Sequence, residues 1–181
     1  MNAAGLKSRR PFCRIALAAI VLPLLLAACA SRPGGDDAVR FVVVRHAEKV
    51  ADGSRDPALT AAGHDRAMAL ARRLADTPVV GVYATGFRRT RDTAAPTALG
   101  HGVAVTTYDA NEPAAAFAAR LRRAHRSGTV LVVGHSNTAP DIAAALCGCD
   151  VPAMDEEEYT RLMTVHVGRH GGITLLGTTA P

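Results

Sequence analysis

The chain has 181 residues, of which 49% are hydrophobic and four are cysteine. These values exclude a mainly disordered chain and a small disulfide-stapled protein, and the length suits one domain with a short extension. The net charge of +5 comes from 21 Lys and Arg against 16 Asp and Glu. Four of the basic residues lie within positions 1–14, so the rest is nearly neutral and indicates no nucleic-acid partner.

The first element that the sequence predicts is an export signal. A basic stretch precedes the uncharged apolar residues 15–28, which is typical of a secretory signal peptide. This apolar run is shorter than the roughly 20 residues of a membrane-spanning helix, and Pro23 interrupts it. It ends in Leu26-Ala27-Ala28-Cys29, which resembles the bacterial lipobox. The resemblance implies cleavage before Cys29 and acylation of that residue, whereas an ordinary signal peptide with an incidental cysteine is the alternative.

The expected organisation has three parts: a signal peptide at 1–28, an acylated cysteine with a flexible tether at 29–38, and a folded domain at 39–181. The tether is short and rich in small and charged residues, as flexible linkers are. An acylated Cys29 predicts a lipid bilayer as a partner and the periplasmic face of a bacterial envelope as the location. Ala30, rather than Asp, favours the outer membrane.

Strands and helices are predicted to alternate through the folded domain. The β-branched run in Val39–Arg45 is typical of a buried strand, and the apolar spacing in Leu59–Ala75 is typical of a helix. The further expected strands are Val79–Ala84, Gly102–Tyr108, Thr129–Val133, and two edge strands at Arg161–Val167 and Gly172–Leu176. The further expected helices run from Gly86 through Leu99, from Pro113, and over Thr138–Leu146. This alternation predicts an α/β fold with three α/β/α layers and a mostly parallel central sheet.

Three predicted strands run directly into histidine or arginine. Val39–Arg45 leads into His46, Val79–Ala84 is followed by a turn containing Arg89, and Thr129–Val133 leads to His135. Sites in parallel sheets form at the carboxyl ends of the strands. Arginine presents a planar set of donors to phosphate oxygens, and a histidine nitrogen can attack phosphorus. The pattern therefore indicates phosphoryl chemistry at this edge.

Four ordered motifs resemble the histidine phosphatase superfamily, the relatives of cofactor-dependent phosphoglycerate mutase. They are Arg45-His46-Ala47-Glu48, Leu59-Thr60-Ala61-Ala62-Gly63, the stretch from Thr85 to Ala94, and Gly134-His135-Ser136-Asn137. The resemblance implies the fold of that superfamily and, given the short domain, its compact phosphohistidine-phosphatase-like branch.

The resemblance also implies a role for each motif residue. His46 would attack phosphorus, while Arg45, Arg89 and His135 would hold the phosphoryl oxygens. Glu48 and Asn137 would support these residues from behind. No metal and no cofactor is required by this chemistry, and the sequence has no compact cluster at metal-ligand spacing.

The leaving alcohol needs a proton, and the sequence offers several carboxylates as general acid. Asp109 ranks first because it directly follows a predicted strand, and Glu112 ranks second. Asp155 or Glu156 is a remote third choice.

The sequence thus predicts a phosphomonoester hydrolase that acts on a small-molecule or cell-envelope substrate. The alternative is a lipoprotein that binds phosphate or a phosphoryl ligand without turnover. A mutase is disfavoured because the domain is too short for a capping insertion. Cys147 and Cys149 are separated by one residue, which makes a strain-free disulfide difficult and favours thiols, although an oxidising compartment would make pairing possible.

Overall fold

The computed structural model describes residue 1, residues 38–168 and residues 172–179. Contacts within the chain separate Met1–Arg32 from Pro33–Pro181, and the description below concerns the second unit. Residues 2–37 lie outside the described residues. They include the predicted signal peptide apart from Met1, Cys29, and the tether up to residue 37.

A six-stranded sheet forms the centre of the folded unit. Its strands are β1 (Val39–Arg45), β2 (Val79–Thr85), β3 (Val105–Tyr108), β4 (Gly128–Gly134), β5 (Arg161–Val167) and β6 (Ile173–Thr179). Their order across the sheet is β3-β2-β4-β1-β5-β6. The pairs β3–β2, β2–β4 and β4–β1 are parallel, and β5 runs antiparallel to both of its neighbours. This confirms the predicted α/β class with a mostly parallel sheet.

Four helices cover the two faces of the sheet. They are α1 (Ala61–Leu74), α2 (Arg88–Gly100), α3 (Ala114–Ala124) and α4 (Ala139–Cys147). Strand residues alternate between two cores: Phe41 and Val43 pack on the side of α3 and α4, whereas Val42 and Val44 pack on the side of α1 and α2. Because both faces of the central strands are buried, β1 and β4 read as continuous apolar runs in the sequence.

Two sequence-based predictions differ from the structure: the place of one strand in the sheet and the starting residue of another. Arg161–Val167 was expected at an edge, but β5 lies between β1 and β6. Leu162, Met163 and Val165 are buried there, which an edge position would not provide. Gly102 has a φ of +64° and turns the chain after α2, so β3 begins only at Val105.

The expectation of free thiols in the last helical turn was wrong. Cys147 and Cys149 form a disulfide, and their Cα atoms are 5.2 Å apart. Gly148 between them adopts φ +64°, a left-handed conformation that ends α4 and brings the two cysteines to the same side of the turn. Among the residues that the structure describes, no helix is both long and apolar enough to span a bilayer.

Candidate active site

The carboxyl end of β1 delivers Arg45 and His46 into the sheet edge. Arg45 is the register partner of Gly134 at the end of β4, and the His46 amide donates to the Gly134 carbonyl at 2.9 Å. Both side chains are buried, with 3% of each residue exposed. The strand register therefore fixes the depth of the two groups.

Gly134 allows His135 to come close to them. A Cβ at Gly134 would lie 2.9 Å from Thr138 Oγ1 and 3.2 Å from Tyr108 Oη, so a side chain has no room there. The Thr138 hydroxyl accepts from the His135 amide at 2.9 Å, which fixes the turn between β4 and α4. The His46 and His135 rings then meet edge to face, with centroids 5.4 Å apart.

His46 is neutral and presents one free ring nitrogen. Its Nδ1 lies 2.8 Å from the Ala47 carbonyl, which can only accept, so Nδ1 carries the proton and Nε2 holds the lone pair. Burial, the largest cause, the positive charges of Arg45 and Arg89, and the electrostatic interaction with His135 lower the pKa of His46 to about 3. This tautomer and charge are those of a nucleophilic imidazole.

His135 is held by hydrogen bonds on both ring nitrogens. Arg89 Nη2 lies 3.4 Å from Nδ1, and because a guanidinium only donates, Nδ1 accepts. Nε2 then donates to Thr85 Oγ1 at 3.1 Å, and Thr85 bonds Thr90 at 2.8 Å. Burial first, and then Arg89 and Arg45, lower the pKa of His135 to about 4.

Both arginines keep a buried donor without a partner. The Nε atoms of Arg45 and Arg89 are buried, and neither has a hydrogen-bond partner within the described part of the chain. Buried polar groups in native proteins are almost always paired. Two unpaired guanidinium donors beside two histidines therefore mark a place where a bound oxyanion would complete the hydrogen bonding.

The Leu59–Gly63 motif supports the loop that follows His46. The Thr60 amide donates to the Glu48 carbonyl at 2.9 Å, and the Thr60 hydroxyl caps α1 at the Gly63 amide. A Cβ at Gly63 would lie 2.3 Å from that same Glu48 oxygen, which explains the glycine. The Glu48 carboxylate accepts hydrogen bonds from Arg66 Nε at 3.0 Å and from Arg66 Nη2 at 2.6 Å. Glu48 thus supports the loop through α1 rather than by bonding Arg45.

The structure distributes the predicted carboxylates unevenly. Asp109 is exposed, and its Oδ1 accepts from the Asn111 amide at 2.9 Å and from the Asn111 side chain at 3.2 Å. Glu112 pairs with Arg120 at 2.6 Å. Glu156, in contrast, lies 3.2 Å from Arg45 and accepts from the Ser136 hydroxyl. Glu156, one of the least favoured of the sequence candidates, is therefore the one that bonds to Arg45 and to the residue after His135.

An open cleft is lined in part by Phe87, which contacts His135 and Arg89. The Phe87 ring meets His135 edge to face at 5.3 Å and carries the Arg89 guanidinium over its face at 4.4 Å. The cleft has a volume of about 570 Å³. Its lining includes Phe87, Asp56, Asp109 and Asn111. Asp109 therefore lines the same cleft as Phe87, and its own hydrogen bonds go to Asn111.

Sequence reasoning missed three contributors to the site. Thr85 and Phe87 lie inside the motif that yielded Arg89, so their position was a usable signal. Tyr159 places its ring 4.2 Å from the Arg45 guanidinium, but it lies in a loop far along the chain and no motif marks it. Asn137 is exposed and lines a smaller cleft together with Ser136 and Glu156.

Within residues 38–168 and 172–179, no group of three or more His, Cys, Asp or Glu side chains is arranged to hold a metal ion. His125 bonds the Tyr83 hydroxyl at 2.8 Å, away from the cluster, as expected for a histidine without a motif.

Known proteins resemble the chain in both sequence and fold. The model of the histidine phosphatase superfamily, branch 1, matches residues 41–112. Among solved structures, the protein histidine phosphatase SixA complexed with tungstate has a TM-score of 0.61 at 19% identity, covering 77% of this chain and 96% of that one. The mycobacterial glucosyl-3-phosphoglycerate phosphatase has a TM-score of 0.56 at 18% identity, covering 79% and 98%. No curated protein sequence matches the chain.

A phosphoserine phosphatase mutant from Entamoeba histolytica, in complex with phosphoserine, is a further similar structure. Its TM-score is 0.58 at 15% identity, and the match covers 76% of this chain and 94% of that chain. The fold is thus that of the histidine phosphatases, and the family match over the segment that carries Arg45, His46 and Arg89 indicates a phosphatase.

Proposed function

We propose that the protein is a metal-independent phosphomonoesterase that works through a phosphohistidine at His46 and is anchored to the bacterial envelope through Cys29. The observation that carries the catalytic part is the pair of buried, unpartnered Nε donors on Arg45 and Arg89 beside a neutral His46. A phosphoryl group supplies the acceptors that these donors lack.

The reaction would proceed in two displacements. In the first, His46 Nε2 attacks phosphorus, the ester P–O bond breaks, and the alcohol departs with one proton. In the second, water attacks phosphorus, the P–N bond breaks, and phosphate leaves. Arg45 and Arg89 stabilise the charge that develops on the equatorial oxygens. The charge of the phosphoryl group favours protonation of His135 at Nδ1, which would release the hydrogen bond from Arg89 and turn Nδ1 into a further N–H donor.

The cleft beside Phe87 offers room for the leaving alcohol. Its volume of about 570 Å³ lies within the range of small-molecule sites, and its lining includes Phe87, whose ring contacts both Arg89 and His135. A small-molecule phosphomonoester, or one displayed on a cell-envelope saccharide, fits this open arrangement.

The activity is tested with the full-length protein in detergent, in the presence of EDTA. Phosphate release from an activated aryl phosphate should be lost in His46→Ala. If the parent shows no turnover but binds vanadate through a site that Arg89→Gln abolishes, the chain is instead a phosphoryl-binding lipoprotein. Equal turnover in His46→Ala would remove the phosphohistidine mechanism.

The anchor rests on the lipobox-like Leu26-Ala27-Ala28-Cys29. The Cys147–Cys149 disulfide supports the same location, because disulfides persist in oxidising compartments such as the periplasm. Cys29→Ser should leave the precursor unprocessed and free of lipid label in a bacterial host, while Cys13→Ser serves as the matched control. Unchanged processing and membrane fractionation in Cys29→Ser would contradict the anchor.

A further inference from the structure

The loop between α4 and β5 crosses the site at Arg45. We call residues 154–160 the crossing loop. Arg45 Nη1 donates to the carbonyls of Asp155 at 3.0 Å and Glu158 at 3.4 Å, and also to the carbonyl of Glu156. The Tyr159 ring covers the guanidinium at 4.2 Å. The loop therefore holds one end of Arg45 and leaves its Nε for a bound anion.

Glu156 extends from this loop toward the reacting groups. Its Oε2 lies 3.2 Å from Arg45 Nη2, and its Oε1 accepts from the hydroxyl of Ser136, the residue after His135. Electrostatic interactions also link its carboxylate to His46, His135 and Arg89. Glu156 thus interacts with each member of the phosphoryl-binding cluster.

The other carboxylates near the site have different partners among the described residues. Asp56 lies 3.8 Å from Arg89 and accepts from the Arg88 amide at 2.7 Å. Asp109 accepts from Asn111, and Glu112 pairs with Arg120. Asp56 thus pairs with Arg89, whereas Glu156 contacts Arg45 and interacts electrostatically with both His46 and His135. Glu156 is therefore better placed than these three to meet a water molecule or an ester oxygen at the phosphorus above His46.

The environment of Glu156 suits a group that gains and loses a proton. Its side chain is 69% exposed although Arg45 beneath it is 1% exposed, so water reaches the carboxylate directly. The hydrogen bond from Ser136, and after it the charge of Arg45, lower its pKa, so the carboxylate is ionised in the free protein. A bound phosphoryl group opposes the charge of Arg45 and shifts the equilibrium back toward the carboxylic acid.

We propose that Glu156 is the catalytic residue that carries the proton in both half-reactions, an inference that rests on the phosphohistidine mechanism proposed above. The monoanionic ester brings a proton, which Glu156 takes up and delivers to the leaving oxygen as the P–O bond breaks. Glu156 then accepts a proton from the attacking water as the P–N bond breaks. That proton leaves with phosphate, so ester and water become alcohol and phosphate with no further reactant.

The leaving group provides the first test. Glu156→Gln keeps the size of the side chain but cannot carry the proton, and the exposed neighbour in Glu157→Gln is the matched control. For Glu156→Gln, kcat/KM should fall only slightly on 4-nitrophenyl phosphate and by about 10²–10⁴-fold on an alkyl phosphate such as glycerol phosphate. Glu157→Gln should follow the parent. A loss of the same size on both esters, or a leaving-group-dependent loss in Asp109→Asn instead, would overturn the assignment.

The second half-reaction provides an independent test. After rapid mixing with 4-nitrophenyl phosphate and an alkaline quench, Glu156→Gln should accumulate a base-stable, acid-labile phosphoenzyme, because water attack is slowed. Ser136→Ala, which removes the hydrogen bond to Glu156, should show a smaller accumulation. If the phosphoenzyme forms in the parent and decays equally fast in Glu156→Gln, Glu156 is not the base. If no phosphoenzyme forms in any variant and His46→Ala still turns over, the proposed function itself fails.

Discussion

The strand ends and the crossing loop contribute to the same site in different ways. At the ends of β1 and β4, His46 and His135 are almost completely buried, and strand register sets their positions. In the crossing loop, Glu156 is largely exposed and is held by individual contacts to Arg45 and Ser136. The buried part can provide a fixed nucleophile and anion site, whereas the exposed part can exchange protons with water. On the proposed mechanism, the two regions would divide anion binding from proton transfer.

Arg45 joins the two regions, so changing it should disturb the anion site and the crossing loop together. Arg45→Lys keeps the charge but loses Nε and the paired Nη donors that hold the crossing loop. We expect kcat/KM to fall by about 10²–10³-fold, the cost typical of removing a positioned donor from a transition state. Steady-state kinetics measure this, with the exposed Arg91→Lys as control. A loss below about tenfold would show that charge alone suffices at this position.

The buried histidines should make stability depend on pH. The pKa values of His46 and His135 are lowered from 6.5 to about 3 and about 4. The unfolded chain therefore binds protons below pH 6.5 that the folded protein refuses, and stability decreases as the pH falls. Between pH 7.5 and pH 5, the free energy of unfolding should decrease by roughly 2 kcal/mol per histidine.

Urea unfolding at several pH values measures this loss. The double variant His46→Asn/His135→Asn should lose most of the dependence, because it removes both titrating rings from the strand ends. An unchanged slope in the double variant would show that other groups, such as the carboxylates of the crossing loop, dominate the acid sensitivity.

Gly134 tests the close packing of the buried region. In Gly134→Ala, the new Cβ would lie 2.9 Å from Thr138 Oγ1 and 3.2 Å from Tyr108 Oη, so the turn that carries His135 must shift. We expect a loss of about 1–3 kcal/mol in the free energy of unfolding, together with reduced turnover. Gly100→Ala is the control, because its Cβ would meet nothing within 4 Å. Wild-type activity and stability in Gly134→Ala would contradict the close packing.

The smallest effect is expected at Glu48, in the loop that follows His46. Glu48→Gln weakens the two-pronged pair with Arg66, whose side chains are both 23% exposed. Since such partly exposed pairs contribute little, stability should fall by about 0.5–1 kcal/mol and turnover should change little. A chemical-denaturation midpoint and one kinetic assay suffice. A large loss of turnover with unchanged stability would instead place Glu48 in the chemistry.

Much of the fold was predictable because its signals are local. The buried runs of β1 and β4 and the apolar spacing of α1 appear directly in the sequence, and the structure confirms these elements. The edge assignment of Arg161–Val167 was wrong because strand order depends on which surfaces meet, not on the strand's own pattern. The disulfide was missed because it depends on a left-handed Gly148, which spacing alone does not show.

The site divides along the same line. The sequence by itself determined the α/β class. It also placed Arg45, His46, Arg89 and His135 at or shortly after the ends of strands, because each lies in a short motif that follows a recognisable strand. Their roles in catalysis stay predictions, as does that of Asp109. Only the tertiary structure decided which carboxylate lies against Arg45. In the sequence, 110 positions separate Arg45 from Asp155 in the crossing loop. The packing of α4 and β5 on the sheet brings the two together, and no local sequence pattern indicates that contact.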